Sequence, residues 1–560
     1  MRRIYSLLSA LLVLAFLLSA CGSPAATPAA PANENSAPAA TEAPQQVEPE
    51  PAATEQVLRI IHPAFDQNWT PMLGGGHVAR LNSLWWAAPM YFDTKGELHP
   101  QVFMEWSSND DFTQWTFKID PIAVFSDGSP ITAEDVKGTW DLEAHPATQH
   151  ARIDLFLSGV EGFAAVSKGE AAEMTGLVAK DAQTVEVNLT APDPIFFQKV
   201  ATHLIAPVKI SQARGEDGEQ KLEWWRPENG VVVSGPFMPE SMDLDRGVIT
   251  FVRNPNWFGQ APKLDKIIIT SVEDNQTAIT LLENGEADIH STIETPTLVD
   301  DLGLPFIDGP ELPAAQHFWL SVNVEPTNDI NVRKALIMAI NGEDLIKASY
   351  PDGPHQLATQ IPNAVPGADD PEYLPFPYDP EGAKAALAAS KYGGPENLPK
   401  LMIVGVSFPA AEAAAQYIAE QWRQVLGIQT VEMKPQFDDF SGPDKVNIQI
   451  FRDDVGTRVP DLVSYLSGAM YSTSGNAINK MGGYNNPEVD RLLDEARVKA
   501  IDDPARTELA HQANRLFRED WTFIPWAIPP TSAYAMPWVK NAERNIDWQI
   551  AEPWNVYIEK

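Results

Sequence analysis

A chain of 560 residues is too long for one compact core and calls for two or three lobes. Its 44% hydrophobic and 21% charged residues are those of a soluble globular protein, and a net charge of −36 argues against nucleic-acid partners, because no basic stripe is present to displace phosphate counterions. One cysteine excludes an intramolecular disulfide.

The chain opens with Arg2 and Arg3 and then an apolar run, 4–18, too short to span a membrane and stay there, so residues 1–20 read as a secretory signal. Leu18-Ser19-Ala20-Cys21 resembles the bacterial lipobox, which implies cleavage before Cys21 and lipidation of its thiol. Residues 21–56 are rich in Pro, Ala, Thr and Glu and cannot bury enough surface to fold; they read as a disordered tether. A strand at 57–61 leads to a polar loop, 62–73, which holds Asp66, Gln67, Asn68 and Trp69. The spacing of Leu81, Leu84, Trp85 and Ala88 predicts an amphipathic helix over 78–91, with Trp86 off the stripe. Trp115, Phe117 and Ile119 alternate as in a half-buried strand. Asp127-Gly128 is a tight turn, and Thr132 caps a helix with Glu134 and Asp135 in its first turn, so neither aspartate needs a catalytic role. A helix carrying Phe196, Phe197 and Val200 follows Pro194.

From 231 to 289 the pattern is a strand at 231–235 broken by Ser-Gly-Pro, a β-rich segment at 247–253, a buried strand at 266–272, a helix capped by Asp274 and closed by Gly285, and a short strand at 287–289. Pro, Gly and Asp dominate 300–313, a crossing between lobes. A strand is expected at 318–323 and a helix from Asp329 to Ile340. Strand 401–405, helix 410–426 and strand 428–433 predict a second α/β lobe with a mostly parallel sheet. Helices follow at 489–496 and 506–517, and the Pro-broken stretch 524–530 is expected to return into the first lobe. No His-Glu-x-x-His motif, P-loop or nucleophile elbow occurs; Gly74-Gly75-Gly76-His77 lacks a following basic residue, and His145 and His150 are not spaced for one helical face. No catalytic residue, metal or cofactor is assigned.

Several linked blocks carry a resemblance: Val232-Val233-Ser234-Gly235-Pro236-Phe237, Arg253-Asn254-Pro255, Gly285-Glu286-Ala287-Asp288, the stretch from Trp115 to Val136, and Asn323 with Val332-Arg333, Ala335-Leu336 and Ala339-Ile340-Asn341. In order and spacing they resemble the extracytoplasmic solute-binding proteins of ABC importers, family 5, in the branch of dipeptide- and oligopeptide-binding proteins. The chain departs from that pattern at Asp120-Pro121-Ile122-Ala123, where Arg-x-Gly is usual. The resemblance implies an α/β, two-lobed periplasmic-binding-protein-like fold of class II, in its large three-subdomain form, with a hinge between lobes. Lobe I would span 57–308 with an extra subdomain at roughly 90–175, lobe II 309–520, and 521–560 would return into lobe I.

It further implies a monomeric, lipid-anchored, extracytoplasmic receptor that is no enzyme. Such a receptor captures a solute by hinge closure and delivers it to a permease and ATPase. In peptide binders of the family a loop aspartate of lobe II pairs with the ligand's α-ammonium. Here that place holds Arg452, Asp453 and Asp454, with Arg458 and Asp461 further on; Phe451 stands where the family has Trp. Either arginine could face a ligand carboxylate or neutralise the acids. Most of the 16 tryptophans, an unusual number for this length, should be core, with a few expected to line a pocket; Trp319, Trp526, Tyr484, Asn68 and Trp69 complete the candidate set. A peptide-like solute is the first expectation. An oligosaccharide or another polar solute, and a sensor or docking receptor without transport, stay open.

Overall fold

β1 (Val57–His62) buries its apolar residues on both faces and so suits the middle of a sheet. A computed structural model describes residues 55–560 apart from 64, 66, 75–77, 292–313, 352–355, 359, 436–447, 529–533 and 546–548. The leader, Cys21, the tether up to residue 54, Asp66, most of the glycine run, the crossing at 300–313 and residues 529–530 lie outside the described residues.

After β1 the segment expected as one helix is instead a 3₁₀ turn, Val78–Arg80, and a single helical turn, Asn82–Trp85. Leu84, Trp85, Trp86, Ala87 and Ala88 are all fully buried, so no exposed face exists for an amphipathic helix to present. Gly235 comes close enough to donate its N–H to the Trp85 carbonyl at 2.9 Å; a Cβ at Gly235 would lie 2.4 Å from Trp85 carbon. A hairpin, β2 (Met90–Phe92) and β3 (Leu98–Pro100), leads into β4 (Phe103–Ser108), β5 (Gln114–Ile119), β6 (Leu177–Asp181) and β7 (Thr184–Asn188). The last four form an antiparallel sheet in the order β4-β5-β7-β6. Its inner face packs on helix Ala133–Ala144, which Thr132 and Asp135 cap reciprocally. This subdomain runs past residue 175: its core takes in Val185, Val187 and residues as far as Leu204 and Ile205.

β8 (Phe237–Asp243), β9 (Val248–Arg253), β10 (Lys266–Ser271) and β11 (Ile289–His290) then join β1. Residues 231–235 are extended but form no strand; Val233 exchanges hydrogen bonds with Ser126 instead. Asp274 caps helix Asn275–Glu283 by accepting from the Thr277 N–H, and Gly285 follows it in the left-handed region.

The second half is built on β12 (Ala314–Leu320), β13 (Gln356–Leu357), β14 (Leu401–Val404), β15 (Val431–Lys434), β16 (Ile450–Gly456) and β17 (Phe523–Ile528). Its order is β13-β17-β12-β16-β14-β15. The unit Leu401–Lys434 is parallel as expected, and β14 also pairs parallel with β16, but the β12 and β13 pairings are antiparallel, so the sheet is mixed rather than mostly parallel. One face packs on helices Ile330–Met338, Pro380–Ala389 and Pro409–Gln421 around Phe318, Trp422 and Trp526. The other packs on helices Leu462–Met470, Pro487–Arg497 and Pro504–Glu519 around Trp319, Tyr465 and Phe523.

One expectation fails here. β17 was expected in the first half, yet it lies beside β12 in the second sheet, because Phe523 and Ile524 supply side chains to both of that sheet's cores. The chain rejoins the first sheet only at β18 (Tyr534–Ala535), which pairs with β11 in the order β18-β11-β1-β10-β9-β8.

Candidate functional site

Strand direction decides where the two halves can meet. β14, β15 and β16 run parallel, so their carboxyl ends share one edge of the second sheet. β12 begins at that edge, since Ala314 opposes Gly456, and β17 ends there at Ile528. In the first sheet β1, β10 and β11 are parallel; β11 ends, and β18 begins, at their shared carboxyl edge. Both crossings therefore run from one carboxyl edge to the other. Five residues separate Ile528 from Tyr534, which limits that gap to about 20 Å. Carboxyl edges of α/β sheets are where ligands are bound, since loops and helix starts converge there.

On the second edge, β16 places alternate side chains on opposite faces of its sheet. Arg452 and Asp454 share one face, where Arg452 Nη2 donates to Asp454 Oδ1 at 2.8 Å. The buried Arg452 guanidinium lies over the rings of Phe408 (4.6 Å) and Trp526 (5.2 Å). Tyr350 stacks on Trp526 at 5.5 Å and donates to Gln316 Oε1, and Gln316 opposes Asp454 across the strand pair. Asp454 keeps 47% of its side-chain surface open to water. Burial nevertheless raises its carboxyl above the ordinary range, with Arg452 opposing the rise and Asp453 adding to it. Burial likewise pushes the Tyr350 hydroxyl upward. Gly405, in the left-handed region at φ +91°, lets the turn after β14 approach the Arg452 carbonyl, from which a Cβ would be only 2.5 Å away.

Asp453 points to the other face, where it pairs with Lys480 and opposes His317. The two adjacent acids therefore take different side-chain partners, Lys480 for Asp453 and Arg452 for Asp454.

The remaining candidates divide by what they touch. Asp461 is buried, caps helix Leu462–Met470 through the Ser464 N–H (2.7 Å), and holds the buried Arg506 guanidinium with both oxygens at 2.8 and 2.9 Å. That carboxylate is fully employed in the fold. Trp319 and Tyr484 are core residues of the second half, the Tyr484 hydroxyl donating to Asp520 at 2.8 Å. Trp526 is also fully buried, its indole N–H donating to Ser349; it serves as the floor beneath Arg452 rather than as an open platform. Trp69 is buried in the first core against Phe65, whereas Asn68 is exposed and accepts from the Thr70 N–H. Arg458 is half-buried and already engaged.

Sequence reasoning missed Tyr350, Gln316, Phe408 and Lys480, which come from four separate segments with no shared motif. On the first sheet it missed His62 and His290, both fully buried at the carboxyl ends of β1 and β11. Burial, reinforced by Arg544, lowers the His290 pKa to about 4. His150 accepts from the Arg152 N–H and bonds the Leu204 carbonyl, so both its nitrogens are occupied. Asp93, Glu97 and His99 bring ligand atoms within 4.8 Å of one another, but Asp93 closes the hairpin turn by accepting from the Lys95 and Glu97 N–H groups.

Two α/β sheets whose carboxyl edges are joined by the chain's crossings, plus a β-rich subdomain, define the class: a large two-lobed periplasmic-binding-protein fold. Solved structures agree. The murein tripeptide binding protein MppA of Escherichia coli aligns with a TM-score of 0.72 at 21% identity, over 91% of this chain and 99% of that one. The ABC transporter substrate binding protein CtaP of Listeria monocytogenes aligns with a TM-score of 0.75 at 18% identity, over 90% and 100%. The profile of the bacterial extracellular solute-binding proteins, family 5, matches residues 97–477, and the chain belongs to that family. The dipeptide-binding protein DppE of Bacillus subtilis is 25% identical over 443 residues, which are 77% of this chain and 78% of the relative.

Proposed function

We propose that this protein is the membrane-anchored substrate-binding component of an ABC import system and takes a peptide-like solute between its two halves. The observation that carries this reading is Asp454: a solvent-accessible carboxylate held by the buried Arg452 guanidinium near the carboxyl end of β16. Its role is to pair with the ligand's α-ammonium. Arg452, packed over Phe408 and Trp526, fixes the carboxylate's position and stays behind it. Relatives named as dipeptide- and oligopeptide-binding proteins support the ligand class.

A ligand touched by both edges gains its full set of contacts only in the closed form, so it shifts a hinge equilibrium. Moving that equilibrium from mostly open to mostly closed takes about 5.5 kcal/mol of differential affinity. Closure also removes water, which strengthens the ammonium–carboxylate contact. The closed shape is what the permease would engage. Cys21, once lipidated, holds the receptor at the outer face of the cell membrane, and residues 21–56 give it reach.

Calorimetric titration with mixed di- to pentapeptides tests the ligand class. Binding is expected, with Asp454→Asn weakening it by about tenfold to a hundredfold, as for loss of a charge-assisted contact. A variant that binds peptides as well as the parent, or a parent that binds oligosaccharides and no peptide, overturns the assignment. For the anchor, Cys21→Ser should move the expressed protein from the membrane to the soluble fraction; unchanged membrane retention would refute it.

A further inference from the structure

The loop following β13 folds against helix Pro504–Glu519 and encloses a cavity of about 160 Å³, lined by Ile361, Asn363, Asp369, Asp370, Tyr373 and Asn514. Nothing in the solute-binding reading uses it. Asn514 is fully buried, and among the described residues neither its Oδ1 nor its Nδ2 has a hydrogen-bond partner. Asp370, whose side chain is 1% exposed, accepts from Arg515 on Oδ1 at 2.9 Å, while its Oδ2 has no partner among the described residues. Buried polar groups are almost always satisfied, and each orphan costs about 1–3 kcal/mol. Two such residues on one cavity wall point to an occupant.

We infer that this cavity is a binding site for a hard divalent cation, calcium by preference. The side-chain oxygens around it are the carboxylates of Asp369 and Asp370, the amides of Asn363 and Asn514 and the Tyr373 hydroxyl, with no sulfur or imidazole in the lining, an all-oxygen set that suits calcium rather than zinc. Local charge agrees. Asp369, Asp370, Glu372 and Glu508 outnumber Arg515, which bridges three of them, and Arg518, which lies over the Tyr373 ring at 5.3 Å. The volume suits an ion that keeps part of its water, and a retained water accepts from Asn514 Nδ2. A bound ion ties the loop to the helix that also supplies Arg506 to Asp461, so it stiffens the second half away from Asp454.

The test uses the full chain in detergent, stripped with chelator, with calcium chloride and terbium as the only probes. Calcium is expected to raise the unfolding midpoint and to displace terbium whose luminescence is excited through Tyr373. An affinity in the range of extracellular calcium modules, about 10⁻⁴ to 10⁻³ M, is expected. Asp369→Ala removes an exposed side chain and should weaken calcium by about tenfold or more without altering the chelated protein's midpoint. Asn514→Leu should abolish the calcium-dependent shift. No calcium-dependent shift in the parent, or a shift that survives Asp369→Ala unchanged, overturns the site and leaves a pocket of ordered water.

Discussion

Asp454 and Asp461 sit in one acidic stretch of sequence, and their surroundings give them opposite work. Asp461 lies beneath the surface with Arg506 locked across both its oxygens, and Arg506 also donates to the Ala496 carbonyl at 2.9 Å. Removing one member of such a pair strands the other charge in a desolvated place. Arg506→Met should therefore cost on the order of 3–5 kcal/mol in urea unfolding, while peptide affinity measured below the unfolding transition stays within a factor of two or so of the parent. A loss of affinity with unchanged stability would show that this pair belongs to the ligand site. Arg452 shows the contrary arrangement: its charge is buried over two aromatic rings, but the carboxylate it holds remains open to solvent.

At the scale of elements, the site depends on how closely the turn after β14 approaches β16. Gly405 makes that approach possible, and two penalties converge on any replacement: a left-handed φ of +91° and a Cβ 2.5 Å from the Arg452 carbonyl oxygen. Gly230 offers a control, because it too has positive φ (+67°) but nothing within 4 Å of an added Cβ. Gly405→Ala is expected to destabilise by about 1–3 kcal/mol from backbone strain, and by more once β16 is displaced, with a drop in peptide affinity. Gly230→Ala should show the strain alone. Equal effects of the two substitutions on stability and binding would mean that the turn does not position Arg452.

For the whole molecule, buried histidines in both halves tie stability to pH. Burial lowers His150 and His290 to about 4 and His203 and His317 to about 3, against an ordinary value near 6.5. A base whose pKa is depressed by folding contributes stability that is present above the unfolded pKa. That stability is lost as pH falls from about 6.5 toward the folded values, because the unfolded chain then binds more protons. Each histidine adds a slope of up to about 1.4 kcal/mol per pH unit in that window. Glu143 acts in the other sense: fully buried, its pKa is raised well above the usual range, so its contribution is lost as pH rises above about 4.5. Urea midpoints at pH 7 and pH 5 should drop toward acid, and His203→Gln should flatten the drop. Parallel slopes for parent and variant would rule out this assignment.

The sequence by itself determined whatever is local or repeated along the chain: the caps at Thr132 and Asp274, the alternation in β5, the parallel unit from β14 to β15, and the linked blocks that mark the family. These follow from side-chain periodicity and from hydrogen bonds reaching three or four residues, which neighbours in sequence suffice to specify. Tertiary structure alone decided that β17 stays in the second sheet, that the segment around Trp86 abandons its helix for total burial, and that Asp453 and Asp454 face apart. It also decided that Arg452 rests on Phe408 and Trp526, residues remote from it in sequence. Each of these turns on which strands pair and which faces are covered, and that information resides in contacts between distant parts of the chain, to which periodicity is blind.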